Sequence, residues 1–189
     1  AGLFQGKFRG IVNYRRQWEN VGSAFQTIGA SGDFQLAQNV FDQDLFGIGV
    51  NVVQDQTGIA EATNLNANLS VSYTKILDKY ANHYLSLGFN LGFAQKALTL
   101  TDLRWDNQWT STGFDTSIDP NEDNLSDATT HMDFGGGINY YYGNSKETIK
   151  GYFGLAAFHL NRPDVTFLGQ EEILDTRVVV NGGLEFGRQ

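Results

Sequence analysis

Three histidines and one acidic segment are the residues of this chain best suited to chemistry. His83, His131 and His159 are far apart in the sequence and lack the short spacing that converging metal ligands need. No serine occupies a Gly-x-Ser-x-Gly elbow, and no glycine-rich phosphate loop opens a helix. The absence of cysteine excludes a thiolate zinc site and a cysteine nucleophile. The sequence therefore predicts no catalytic centre, no metal site and no cofactor.

The acidic segment from Asp115 to Asp127 has the oxygen ligands that calcium prefers. It carries Asp119, Glu122 and Asp123, but it lacks the regular ligand spacing and the central glycine of a calcium loop. A solvated external loop is the interpretation that the composition favours.

The overall charge excludes another class of function. The chain has 189 residues and a net charge of −8, with no basic tail or stripe. Because phosphate binding depends on clustered lysine and arginine, we expect no nucleic-acid partner. We interpret residues 1–189 as a single domain, and we expect it to be incomplete at both ends.

Two alternating runs between Asn64 and Phe93 decide the fold class. Successive side chains of a strand point to opposite faces, so each run has one apolar face and one small or polar face. The apolar parity holds these residues: Leu65, Ala67, Leu69, Val71 and Tyr73 in the first run, and Leu85, Leu87, Phe89, Leu91 and Phe93 in the second.

The length of these runs favours a membrane over a soluble core. Each has about ten residues, enough for a tilted strand to cross the hydrocarbon layer, whereas soluble strands are nearer five or six. No run of eighteen apolar residues suggests a membrane helix. A closed barrel is the other structure that satisfies every backbone group in lipid. The sequence therefore predicts an all-β, antiparallel, up-and-down transmembrane β-barrel.

The same pattern marks further strands, giving at least eight. The additional candidates are Lys7 to Trp18, Phe25 to Leu36, Phe46 to Asp55, His131 to Tyr142, Ile149 to Leu160 and Thr176 to Phe186. The seventh of the eight, Ile149 to Leu160, is apolar on both parities, so its orientation stays open.

Strand pairing can be predicted for two hairpins. In the first, Phe8 pairs with Phe34, Val12 with Ala30 and Tyr14 with Ile28. For the central hairpin, a turn centred near Lys79 predicts four pairs: Val71 with Leu87, Leu69 with Phe89, Asn68 with Asn90 and Ser70 with Gly88.

Charged residues on the inward parity form a predicted luminal cluster. The first hairpin places Arg9 opposite Asp33, and Arg15 shares their face. The favoured interpretation is that the two arginines neutralise Asp33 and Glu185, because buried charges must be paired. The alternative is a polar constriction or a contact for a peptide inside the barrel.

Connection lengths predict the orientation of the barrel. Long segments, from about Thr99 to Thr130 and from Asn161 to Asp175, follow odd strands, whereas short turns follow even ones. Bacterial barrels have long external loops and short periplasmic turns, so we expect a periplasmic N-terminus. Within the first long loop stand the aromatics Trp105, Trp109 and Phe114. They either form a partner surface or fold back over the barrel mouth.

Several short motifs resemble the PorP/SprF family of outer-membrane proteins of the Bacteroidetes type IX secretion system. The matching stretches are Ala1-Gly2, Tyr14-Arg15-Arg16-Gln17-Trp18, Phe25-Gln26-Thr27, Ser31-Gly32-Asp33, Phe46-Gly47-Ile48-Gly49-Val50, Asp55-Gln56-Thr57-Gly58, and Gly151-Tyr152-Phe153-Gly154-Leu155 with His159 and Pro163.

This resemblance implies a larger barrel and a non-enzymatic role in a secretion and gliding machine. Its implied partners are outer-membrane lipid, other secretion-system proteins, and a secreted surface adhesin or cargo that the barrel docks. Alternatively it links the translocon to the periplasmic parts.

Other classes remain open at this stage. A general porin or small-solute channel needs an open, water-filled lumen. A barrel-embedded lipid hydrolase needs a positioned serine and histidine, for which His159 is the nearest candidate. A lipocalin-like carrier would turn its apolar residues inward, and such a protein should purify without detergent.

Overall fold

The computed structural model describes residues 7–20, 24–38, 44–57, 62–98, 104–119, 128–143, 149–166 and 171–187. Eight strands form one antiparallel sheet in which each strand pairs with its sequence neighbours. They are β1 (Phe8–Gln17), β2 (Phe25–Gln38), β3 (Leu45–Thr57), β4 (Ala62–Ile76), β5 (His83–Ala97), β8 (Ala128–Gly143), β9 (Ile149–Phe158) and β10 (Arg177–Phe186). The two-residue strands β6 (Trp109–Thr110) and β7 (Gly113–Phe114) form a separate small hairpin.

This order confirms the predicted all-β, up-and-down architecture of at least eight strands. Within the described residues, β1 and β10 are the two edges of the sheet and do not pair with each other. No helix in the part of the chain that the structure describes is long and apolar enough to cross a membrane.

The first hairpin has the predicted register. Phe8 lies opposite Phe34, Val12 opposite Ala30 and Tyr14 opposite Ile28. The Phe8 and Phe34 rings pack with their centroids 5.0 Å apart. Because both strands carry apolar residues on the same face, this register keeps that face continuous from one strand to the next.

The central hairpin was predicted with the wrong register. Val71 lies opposite Phe89 rather than Leu87, and Ser70 opposite Asn90 rather than Gly88, a shift of two residues. Leu69 pairs with Leu91, and Asn68 with Gly92. A two-residue shift keeps every side chain on its predicted face, so alternation alone cannot distinguish the two registers.

The turn at Asp78 gives the physical reason for the shift. One Asp78 carboxylate oxygen accepts from the backbone N–H groups of Asn82 (2.8 Å) and His83 (2.9 Å). Leu77 N–H donates to the His83 carbonyl, and Ala81 adopts a positive φ of 53°. These bonds close a turn centred on Tyr80 rather than on Lys79.

The apolar face of the sheet is the exposed one. Outward side chains at mid-strand positions are exposed: Val50 by 45%, Leu69 by 40%, Val71 by 45%, Leu87 by 44% and Phe89 by 68%. Among the described residues, Val165, with 6% exposure, is the single buried hydrophobic. This arrangement excludes the lipocalin-like alternative, in which these same residues would fill an enclosed interior.

The opposite face carries polar side chains that bond to one another across strands. Ser70 Oγ donates to Asn90 Oδ1 (3.0 Å), and Asn90 Nδ2 donates to Asn68 Oδ1 (3.2 Å). In β9, the strand whose orientation was open, pairing with β8 and β10 places Gly154 and Ala156 on this polar face and Leu155 on the apolar one.

Lysine substitutions at two adjacent positions of β3 test which face meets lipid. At the outward position, Val50→Lys should destabilise the folded, membrane-inserted protein by about 2–4 kcal/mol, because the ammonium group must leave water. At the inward position, Asn51→Lys should change stability by only about 0.5 kcal/mol. Urea unfolding of the protein in phospholipid vesicles measures both values. An equal loss for Asn51→Lys would contradict the assignment of the faces.

Candidate partner-binding surfaces at one end of the sheet

The ends of β1, β3, β5 and β9 lie together, and we name this the loop end of the sheet. Strand pairing brings one polar residue from each of five neighbouring strands into a line here. This set, the mouth row, consists of Arg15, Thr27, Asp55, Asn64 and Lys96. Within it, Thr27 Oγ1 donates to Asp55 Oδ1 at 2.6 Å. The mouth row gives the polar face a charged rim.

The connection from β9 to β10, which we name the strap (residues 159–176, described at 159–166 and 171–176), is fastened to β8. Asn161 Nδ2 donates to the Met132 carbonyl (2.7 Å), and Asn161 Oδ1 accepts from Phe134 N–H (3.1 Å). Leu160 N–H donates to the Phe134 carbonyl at 2.9 Å. The asparagine side chain thus supplies backbone-like partners to β8 just beyond the end of β9.

Internal hydrogen bonds give the strap a defined shape. Val165 N–H donates to the Glu172 carbonyl (2.8 Å), and Leu174 N–H donates to the Pro163 carbonyl (3.0 Å). At its root His159 has a positive φ of 59°, and its Nδ1 lies 3.0 Å from Asp133 Oδ2. The strap is therefore a folded hairpin-like segment at the loop end.

A cavity of about 850 Å³ lies between the strap and the far side of the sheet. Val165 and Glu172 line it from the strap, and all members of the mouth row line it from β1 to β5. Val165 and Glu172 also line a smaller cavity of about 260 Å³ near β8. The strap consequently lies inside the curl of the sheet, across its polar face.

The charged residues predicted to form one luminal cluster do not all lie together in the structure. Arg9 Nε donates to Asp33 Oδ2 at 2.9 Å, on opposite positions of β1 and β2. Arg15 forms no ion pair within the described ranges and instead faces the large cavity. Glu185, expected to help neutralise the arginines, lies near the other end of the sheet, in register with Lys150. Whether the Arg9–Asp33 pair and Arg15 border a lumen stays a prediction.

The three aromatics of the long loop lie in and beside the small hairpin. Trp109 and Phe114 pair across it with ring centroids 5.6 Å apart, and Trp109 is 60% exposed. Arg104 lies 5.2 Å from the Phe114 ring centroid. Trp105 N–H donates to Gln108 Oε1, and Gln108 Nε2 donates to the Ile118 carbonyl. These contacts are internal to residues 104–119, and the role of the three aromatics as a partner surface stays a prediction.

The histidines do not all lie apart, as their spacing suggested. His131 and His159 line the same small cavity together with Asp133, whereas His83 is bonded to the Tyr140 hydroxyl at 2.6 Å. Among the residues that the structure describes, no group of three or more histidines and carboxylates could hold a metal ion. Sequence reasoning missed the meeting of His131 and His159 because the pairing of β8 with the strap is non-local.

Only part of the acidic segment is visible. Asp115 accepts hydrogen bonds from the Ser117 hydroxyl (2.6 Å) and the Ser117 N–H (2.9 Å), which lower the pKa of its carboxyl. Asp119 is described and exposed, whereas Glu122, Asp123 and Asp127 lie outside the described residues. The calcium alternative gains no support from these positions.

Comparison with known families identifies the chain. Over residues 1–189 it matches the family described as type IX secretion system membrane protein PorP/SprF. The chain belongs to the PorP/SprF family. Neither the search of curated proteins nor that of solved structures found a match. Membership makes the chain a membrane component of a type IX secretion system and agrees with its exposed apolar face.

The family is one of secretion-system membrane components. For this PorP/SprF chain, the strap and the mouth row are the features that sequence reasoning missed. The signals available were weak: Pro163 after a strand, and Val165 between the polar residues Asp164 and Thr166. Neither indicates where a distant segment will pack.

Acid should loosen the strap of the PorP/SprF chain. The Thr166 hydroxyl and then the Thr166 N–H donate to Asp164, and these bonds hold the pKa of that carboxyl below its ordinary value of 3.8. A depressed pKa in the folded state stabilises the strap above the unfolded pKa, and this contribution is lost as the pH falls through the folded value. A nitroxide spin label, attached at neutral pH to a single cysteine at position 172 in a chain without cysteines, should therefore become more mobile below about pH 4.

The Asp164→Asn variant should remove this pH dependence, since the amide does not titrate. Asp175→Asn, in the same strap, leaves the Asp164–Thr166 bonds intact and serves as the matched control. Equal acid sensitivity in Asp164→Asn and the unsubstituted chain would contradict the assignment.

Proposed function

We propose that this chain is a non-enzymatic outer-membrane barrel of the type IX secretion and gliding machinery, which docks or anchors a secreted surface protein. In an alternative form of this role, the chain links the translocon to the periplasmic parts of the machinery. The single observation that carries the docking role is the strap, which lies across the polar face at the loop end. A general porin would need that passage open.

The division between the two faces supports the membrane part of this role. Outward side chains such as Phe89 and Val50 give lipid an apolar surface, and inward ones such as Asn68, Ser70 and Asn90 satisfy one another. In the proposed orientation the N-terminus is periplasmic, and the strap and the small hairpin are extracellular. Secreted proteins would then meet the mouth row and Trp109 first.

Single-channel recording separates docking from conduction. The intact chain in planar bilayers should be electrically quiet, because the strap occupies the mouth. Replacing residues 163–174 with a short glycine-serine linker should produce measurable conductance, since Val165 and Glu172 would no longer stand in the opening. Stable, porin-like conductance of the intact chain would overturn the docking role in favour of the small-solute channel.

Truncation of an exposed aromatic tests the proposed extracellular surface. Trp109→Ala should reduce the amount of type IX secretion components or surface protein that copurifies with the chain, because exposed aromatics contribute much of the binding energy of interfaces. Tyr80, 81% exposed in the turn at the other end of the sheet, offers the control Tyr80→Ala. Quantitative mass spectrometry of the purified complexes measures both. Loss of secretion partners in Tyr80→Ala alone would reverse the proposed orientation.

A further inference from the structure

We propose that the large cavity under the strap binds an extended peptide segment of the partner, with two acidic side chains held by Arg15 and Lys96. This inference rests on the docking role proposed above, and it names the site and the chemistry of the docked segment. The juxtaposition of two cations, an aromatic pair and the strap around one cavity carries it.

The cavity has the size and the walls of a binding site. Its volume of about 850 Å³ falls within the range of about 300–1,000 Å³ found for ligand pockets. One wall is the mouth row, and the other is formed by Val165 and Glu172 of the strap. At one side of the cavity the rings of Trp18 and Phe25 pack edge to face, with their centroids 4.7 Å apart, and form an apolar surface.

The two positively charged side chains of the mouth row favour a partner that carries two separated negative charges. Arg15 and Lys96, the two ends of the row, form no ion pair within the residues that the structure describes. The carboxylate between them, Asp55, already accepts a hydrogen bond from Thr27. Both side chains are exposed toward the cavity, so an occupant that brings two carboxylates can form a charge-assisted hydrogen bond with each of them.

The spacing of the two cations suits an extended peptide. Arg15 is on β1 and Lys96 on β5, four strand spacings of about 4.8 Å, or roughly 19 Å along the sheet. An extended chain rises about 3.3 Å per residue, and long side chains shorten the span, so acidic residues four to six positions apart reach both cations. Between them, Thr27 and Asn64 can bond to peptide backbone groups.

Other residues that line the cavity further restrict which peptide sequences it can bind. Glu172 faces the cavity from the strap, so a continuous acidic run would be repelled, whereas two separated acids with neutral residues between them avoid it. A neutral oligosaccharide would form no charge-assisted hydrogen bond with Arg15 or Lys96. Trp18 and Phe25 favour an apolar or aromatic side chain beside the acid at Arg15.

Binding of defined peptides to the full chain in detergent tests the proposal. The probes are three fluorescent nonapeptides with a serine-glycine frame and a central phenylalanine, carrying glutamate, glutamine or lysine at positions three and seven. Fluorescence anisotropy should give the glutamate peptide on the order of tenfold or greater preference over each of the others. Arg15→Gln and Lys96→Gln should each abolish most of that preference.

Matched variants on the other face control for general effects. Arg16→Gln neighbours Arg15 but lies on the outward face, where Arg16 pairs with Glu19. Lys75→Gln lies on β4, away from the cavity. Neither should change peptide binding. Equal binding of the three peptides, unchanged binding in Arg15→Gln, or tighter binding of maltotetraose than of the glutamate peptide would each overturn the proposal.

A cellular readout separates this inference from the docking role. If Arg15→Gln with Lys96→Gln leaves the surface protein anchored while removal of the whole chain releases it, the cavity is wrong and docking stands. Anchoring that survives removal of the whole chain would contradict the docking role itself.

Discussion

Strict alternation of apolar and polar side chains along paired strands is the constraint on which this structure depends. The pairing satisfies backbone groups between neighbouring strands, and alternation then assigns every side chain to one of two faces. In this chain the assignment is inverted relative to a soluble sheet, because Phe89 and Val50 are exposed and Asn68 and Ser70 bond within the curl. An exposed apolar face of this extent is favourable only where lipid replaces water.

Small residues on the polar side let the sheet curl. A Cβ atom on Gly154 would lie 2.5 Å from Asn181 Oδ1 and 2.8 Å from Asn139 Oδ1, and one on Gly137 would lie 2.8 Å from the Leu155 carbonyl. A larger residue at Gly137 would push against the backbone of β9, whereas one at Gly154 would displace the amide groups of Asn139 and Asn181. The glycines that look merely neutral in the alternating pattern therefore help to set the curvature of the wall.

The architecture could be predicted from the sequence because the face on which each side chain of a strand lies follows from local alternation. Register was predictable where cross-strand partners were distinctive, as with Arg9 opposite Asp33, and the first hairpin is correct throughout. The predicted register of the central hairpin is wrong because a shift by any even number of residues leaves every side chain on the same face. The turn there is determined by hydrogen bonds to the Asp78 carboxylate, which the strand pattern does not indicate. The mouth row follows from strand pairing. The position of the strap does not, since its contacts join residues of β8 and the strap that share no sequence signal.

Hydrogen bonds to β8 make the root of the strap part of the sheet's hydrogen-bonding network. Asn161 bonds with both the carbonyl of Met132 and the N–H of Phe134, so moving this segment would leave backbone groups of β8 without partners close to lipid, a costly state. Further along, Val165 is buried, with 6% exposure, and its N–H donates to the Glu172 carbonyl within the strap. The strap is therefore held by β8 at its root and by its own backbone hydrogen bonds further along, so at the loop end it and the wall form one hydrogen-bonded unit.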